Sequence, residues 1–278
     1  MENIFFNDPE LQDKIPARHL SQKEFYEESV RKVCIALKKV KKLIDEGFAG
    51  SELYGQVLGG YFQRNIMQEP CVLCLNYDMF IPALKNLGTE EQQAKWVPRA
   101  TNCGIIGAYA QTEIGHGTFV RGLQTTATYD PQTKEFIMHT PTTSAYKFWI
   151  GGLGQTANYA LVFANLHTLG KSYGIHAFLV QVRDEVTHKP MKGISIGDVG
   201  VKIGFNCTNN GFLGMDNVRI PLKHMMMKNA EVLENGEYKK KNSGLFTYAT
   251  MTQVRVSIIH ELTKLVSHAA VIAVRYSI

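Results

Sequence analysis

The sequence predicts an α+β chain in three successive parts: an N-terminal helical domain, a central antiparallel β-barrel or sandwich, and the first helix of a C-terminal helical bundle that is truncated. Three observations predict it. Apolar residues recur at spacings of three and four through the first hundred residues, the spacing of a single helix face. From residue 104 short β-branched and aromatic runs are punctuated by Gly, Asn and Pro with no helices between them, which favours a compact antiparallel β architecture. From Leu245 the helical spacing returns. The expected domains are residues 1–104, 105–232 and 243–278.

Residues 21–46 place Phe25, Val30, Val33, Leu37, Val40 and Ile44 among Lys and Glu, the pattern of an amphipathic helix. Ser21 and Glu24 form a capping box at its start, and Gly47 stops it. Lys38, Lys39, Lys41 and Lys42 sit near its C-terminus, where the helix dipole favours cations, so they read as a solvated face rather than a nucleic-acid patch. Leu53, Val57, Leu58 and Tyr61 mark a second helix and Leu73 to Leu84 a third. Thr89 caps a fourth that runs through Trp96. Gly104 to Ala110 is the first strand. Thr125–Tyr129 and Phe136–His139 flank a hairpin turn at Asp130–Lys134, and Tyr159–Phe163, His176–Val182 and Val218–Ile220 continue the strands. Glu234–Tyr238 reads as an exposed turn leading into the run Lys239–Lys241. Met251, Val254, Ile258, Leu262, Leu265, Ala269 and Ile272 then share one face of a last helix. A face this apolar calls for partner helices. With no cap before Ile278, the chain reads as a truncated product, a fragment, or a chain that borrows those partners from elsewhere.

Of the 278 residues 45% are hydrophobic and 20% charged, the balance of a soluble globular protein. No apolar run approaches the roughly 20 residues of a membrane span, and the first residues are too charged for a signal peptide, so an intracellular location is expected. Cys34, Cys71, Cys74, Cys103 and Cys207 are odd in number and scattered, which argues for reduced thiols. Cys71-Val-Leu-Cys74 lacks a second pair for zinc and a strand-then-helix redox context, so it reads as two buried small side chains and no metal site is expected. A net charge of +5 suits a polyanionic ligand and many solvated surfaces alike.

Chemistry concentrates in Tyr109-Ala-Gln-Thr-Glu-Ile-Gly-His-Gly-Thr118 and Gly151-Gly-Leu-Gly154. Glycine lets a ligand approach bare backbone, and threonine hydroxyls both donate and accept; a planar cofactor with a polar edge needs both. His116, between two glycines and without a carboxylate at fixed spacing, reads as structural rather than as a general base. Trp149 reads as a packing residue beneath the cofactor.

Helices, then strands, then a helix, with Thr112-Glu-x-x-x-Gly117-Thr118 at the end of the first strand, resemble the acyl-CoA dehydrogenase and oxidase superfamily. Where the dehydrogenases usually place Asp this chain has Phe119, followed by Arg121-Gly122, and the stretch from Ala110 to Pro131 is similar to peroxisomal acyl-CoA oxidases. So are Lys147–Gly154, Tyr173–Phe178, Thr187–Pro190, Gly197–Gly200 and Met215–Pro221, within a resemblance spanning residues 5–278. The resemblance implies FAD, with Tyr109, Ala110, Gln111 and Thr112 along the isoalloxazine ring and Gly117, Thr118 and Gly151 completing the contacts. It implies an acyl-CoA substrate against Leu245, Phe246, Thr247 and Tyr248. Arg255 would meet a phosphate, although on a helix face it can equally form a surface ion pair.

The implied reaction removes the pro-R α-proton of an acyl-CoA by a glutamate, transfers the β-hydrogen to flavin, and returns the electrons to molecular oxygen, yielding trans-2-enoyl-CoA and hydrogen peroxide. The family's glutamate lies beyond Ile278, so no catalytic residue is assigned here, neither Glu113 nor Glu261. The resemblance further implies a homodimer in the full-length form and a peroxisomal location, although no Ser-Lys-Leu-type tripeptide is present. Neither a nucleic acid nor a membrane is an expected partner. Two alternatives stand beside the oxidase: a non-catalytic acyl-CoA- or flavin-binding or dimerising form, and a dehydrogenase on the same fold.

Overall fold

The computed structural model describes residues 2–58, 69–241 and 249–278. Helix α1 (Glu2–Phe6) is followed by α2 (Gln22–Asp45), α3 (Glu52–Leu58), a π-helical turn (Asn76–Phe80) running directly into α4 (Ile81–Leu87), and α5 (Glu90–Thr101). The two predicted caps form. Ser21 and Glu24 make a reciprocal capping box on α2, and Thr89 and Gln92 make another on α5, each satisfying amide groups that a helix start leaves without partners. Gly47 follows α2 at φ +79°, a conformation open to glycine at little cost. Helix α2 buries Val33, Ala36 and Val40 in one stripe. Cys71 and Cys74 are buried in the same core and form no disulfide, and burial pushes the Cys71 thiol up to about 12.

The strand region begins with β1 (Gly107–Ala110), β2 (Thr126–Asp130), β3 (Glu135–His139), β4 (Lys147–Ile150), β5 (Tyr159–Thr168) and β6 (Lys171–Gln181). It continues with β7 (Ile194–Asp198), β8 (Gly211–Met215), β9 (Val218–Pro221), β10 (Ala230–Val232) and β11 (Tyr238–Lys240). The predicted hairpin joins β2 to β3, paired from Thr126↔His139 to Asp130↔Glu135. The largest sheet follows the order β1-β5-β2-β3-β9 with β6 on the other edge of β5, and a second sheet is β4-β8-β7. The architecture is the expected curled β layer, but the large sheet is mixed rather than purely antiparallel. One edge of β5 is shared end to end, residues 159–162 pairing parallel with β1 and residues 165–167 parallel with β2. Parallel neighbours brought together across a long connection leave no mark in local spacing.

Strand β5 is apolar on both faces because both are covered. Ala160, Val162, Ala164 and Leu166 enter the core between the sheets, whereas Tyr159, Leu161 and Phe163 pack on the helical core. The expected turn after Glu234 joins β10 to β11, and the charged run that follows it begins on β11, with Ala230↔Lys240 and Val232↔Tyr238 in register. Lys241 pairs with Glu231 across this hairpin at 2.6 Å, so the lysines lie along a strand edge, where charge discourages further pairing. The last helix, α6 (Ala249–Tyr276), begins against the π-helical turn and α4. Among the described residues no helix is long and apolar enough to cross a membrane.

Candidate functional site

Helices, sheet and α6 meet at a cleft of about 870 Å³. Its floor is Leu75 and Met79 from the start of the π-helical turn, and its back wall is Tyr109, Phe163 and Ile175 from β1, β5 and β6. The floor is tied to the sheet by Asn76, whose side chain donates to Ala100 O (3.0 Å) and accepts from Gly107 N (2.9 Å). Gln111, Thr112, Gly117, Thr118, Phe119 and Arg121 form one rim, Trp149 to Gly151 and Asn210 the other, and Arg255 closes the side formed by α6.

Tyr109, Gln111, Thr112, Gly117, Thr118, Gly151 and Arg255 are therefore brought together, as expected from sequence. Ala110 is not. Alternation along β1 sends Tyr109 toward the cleft and Ala110, fully buried, into the core between the sheets, since neighbouring strand residues face opposite ways. Leu245, Phe246, Thr247 and Tyr248 lie outside the described residues. Leu75, Met79, Phe163, Ile175, Arg121 and Asn210 were not singled out by sequence. They come from five separate stretches, and only the fold makes them neighbours.

The two rim glycines are bare for different reasons. A Cβ on Gly117 would meet nothing within 4 Å, so its missing side chain leaves cleft space open. A Cβ on Gly151 would fall 2.0 Å from Leu75 Cδ1 and 2.8 Å from Thr208 Cγ2. Leu75, not a ligand, occupies the place of its side chain. Trp149, expected beneath the cofactor, lines the cleft and is 56% exposed. Strand β4 loses register with β8 between Lys147 and Ile150, and Trp149 takes φ +63°. Such a bulge re-aims a side chain, here presenting the indole to the cleft. A non-glycine residue in that conformation is uncommon.

Behind the rim lies a buried ion pair that sequence reading missed. Lys147 and Glu113 side chains are both fully buried, with Nζ 3.0 Å from Oε1. Lys147 Nζ also donates to Gln111 O (3.1 Å) and Phe163 O (2.6 Å). Glu113 Oε1 further accepts from Thr125 N and Oγ1, and Oε2 from Gln124 N. Burial alone would raise the Glu113 carboxyl, but the Lys147 charge, the Thr125 hydroxyl and these amides outweigh it and hold it below the usual carboxylate range. Burial pulls Lys147 down to about 8 against the pull of Glu113. His116, expected to have no carboxylate partner, places Nδ1 3.1 Å from Glu113 Oε2; its structural role stands, on a different basis. The one available signal was a lone lysine at the edge of the apolar run Phe148-Trp149-Ile150. Its partner, 34 residues away, is set by tertiary structure.

The cleft offers three hydroxyls, two carboxamides, an exposed indole and two guanidinium groups, and among the described residues no carboxylate lines it. That set fits a flat, polar, phosphate-bearing ligand: the indole and the open space at Gly117 receive a ring, the hydroxyls its polar edge, and the guanidinium groups its anionic charge.

Comparison with known proteins gives a consistent picture. A family profile described as acyl-coenzyme A oxidase N-terminal matches residues 1–106. Acyl-coenzyme A oxidase 1 of Drosophila melanogaster is 49% identical over 277 residues, covering 100% of this chain and 41% of the relative. Human peroxisomal acyl-coenzyme A oxidase 1 is 45% identical over 278 residues, with the same coverages. Among solved structures, Arabidopsis thaliana acyl-CoA oxidase 1 superposes with a TM-score of 0.89 at 42% identity, over 99% of this chain and 41% of that one. Caenorhabditis elegans acyl-CoA oxidase-2, solved with FAD, ascaroside-CoA and ATP, gives 0.81 at 38% identity, over 91% and 37%. The chain spans about two-fifths of the length of the curated relatives it matches.

Proposed function

With the chain belonging to the acyl-CoA oxidase family, matched to its N-terminal portion, we propose that it forms the flavin-facing wall of an FAD-dependent oxidase of peroxisomal fatty-acid β-oxidation. The reaction is conversion of acyl-CoA to trans-2-enoyl-CoA with oxygen reduced to hydrogen peroxide, in a homodimeric full-length protein. The observation that carries this reading is the convergence of Tyr109, Gln111, Thr112, Gly117, Thr118, Gly151 and Arg255 on one cleft. Bound FAD would supply the acceptor for the hydride and the route of electrons to oxygen. This chain's residues bind and orient. The Gln111 and Thr112 side chains and the Gly117–Thr118 turn hold the ring's polar edge, where developing negative charge is stabilised by fixed donors. Trp149 covers the ring from β4 and limits water. Arg121 and Arg255 take the phosphates of the cofactor or of coenzyme A. Glu113 is not the base, because both its oxygens are engaged behind the rim. The α-proton is taken by a glutamate outside residues 1–278.

The test is titration of FAD into the 278-residue chain, followed by addition of palmitoyl-CoA under air. Saturable, stoichiometric flavin binding is expected. Gly117→Leu, which fills the open space at the rim, should weaken it at least tenfold with an unchanged melting temperature. Absence of saturable binding in the unsubstituted chain overturns the reading. Peroxide release from this chain alone would require a base among residues 1–278 and overturn that assignment.

A further inference from the structure

The buried pair behind the rim does not line the cleft, yet it holds both ends of the segment that does. The segment runs from Gln111 to Thr125 and carries Thr112, Gly117, Thr118 and Arg121. At its entry, Lys147 Nζ takes the Gln111 carbonyl. At its exit, the Glu113 carboxylate takes the amides of Gln124 (2.7 Å) and Thr125 (2.9 Å). Within it, the same carboxylate takes the His116 ring. The third proton of Lys147 goes to Phe163 O on β5, against which the back wall is built. The three ammonium protons thus meet three acceptors, and both carboxylate oxygens are used.

We propose that Lys147 and Glu113 are positioning residues: together they clamp the loop 111–125 at its base and set it in its ligand-receiving shape before anything binds. The proposal rests on the flavin reading for what the loop receives, but not for the clamp itself. Desolvating two charges is costly, and an apolar pair of similar volume often serves stability as well or better. An apolar pair cannot, however, fix the direction of a carbonyl at one end of a loop and two amides at the other. Backbone bonds of Ile114 N to Tyr146 O and Gly115 N to Ser144 O hold the middle of the loop, and single bonds of Phe148 N to Thr112 O and Asn165 N to Thr125 O meet its ends; the pair adds the Gln111 carbonyl and the Gln124 and Thr125 amides at those ends. A ligand meeting a loop already in place loses less entropy on binding.

The test compares Lys147→Met and Glu113→Gln with Met138→Ala, a fully buried core change in the same β region away from the cleft. Amide hydrogen exchange of the flavin-free 278-residue chain is measured first and FAD affinity second. Expected are faster exchange across residues 111–125 and at least tenfold weaker FAD binding for Lys147→Met. Glu113→Gln, close to isosteric, should shift both in the same direction and serves if Lys147→Met does not fold. Met138→Ala should lower the melting temperature while leaving exchange in the loop and FAD affinity unchanged. Unchanged exchange in the loop in the Glu113 and Lys147 variants overturns the clamp, and so does an equal loss of FAD affinity in Met138→Ala. If the unsubstituted chain binds no FAD, the flavin reading falls and the exchange comparison alone decides the clamp.

Discussion

Helices α2 and α6 have similar lengths and the same three-and-four apolar spacing, and they fare oppositely in the fold. Along α2, Val33, Ala36 and Val40 are buried, at 3%, 1% and 0% exposure. Along α6, Ile258, Leu262, Leu265 and Ile272 are 49%, 53%, 52% and 68% exposed. Periodicity sets which face a helix would bury; what covers that face is a property of the rest of the molecule. For α2 the cover is α3, the turn at Pro9–Leu11 and the turn at Asn206–Thr208, all within the described residues. For α6 the main described neighbours are the π-helical turn and α4. Arg255, about two turns into α6, reaches the cleft.

Substitutions on the two helices can break this contrast. The largest effect is expected for Val40→Asp, an unpaired charge placed at a fully buried position, which should cost about 4 kcal/mol by denaturant unfolding. Equal tolerance of Val40→Asp and Leu262→Asp would remove the distinction between the helices. Ser21→Ala comes next. Loss of the reciprocal cap on α2 should cost about 1 kcal/mol, seen as a lower melting temperature. The smallest effect is expected for Leu262→Lys on α6, within about 0.5 kcal/mol of the unsubstituted chain. The same change should reduce binding of an apolar dye, because it breaks an exposed apolar face.

How much of the site was legible follows the same division. The glycines, hydroxyls, Gln111 and Arg255 announce themselves as residue types suited to a flat polar ligand, and seven of them converge on one cleft. What the sequence could not indicate is direction. Ala110 sits inside the same motif but faces the core, because β1 alternates. Gly151 is glycine on account of Leu75. Trp149 is turned outward by a bulge that depends on the pairing of β4 with β8. The lysine run at 239–241, read from sequence only as a charged run after a turn, begins on strand β11, because its charge dominates its local appearance and hides the pairing with β10.

From the sequence alone came the local decisions: the caps at Ser21 and Thr89, the left-handed stop at Gly47, the β2–β3 turn, and the order of helical and strand-rich parts. Each depends on residues within a few positions of one another, whose conformational preferences act before any tertiary contact. Tertiary structure alone decided the parallel pairing of β5 with β1 and β2, the meeting of Leu75 with Gly151, and the burial of Lys147 against Glu113. These require segments tens of residues apart to desolvate against each other. That energy depends on geometry which no local pattern encodes.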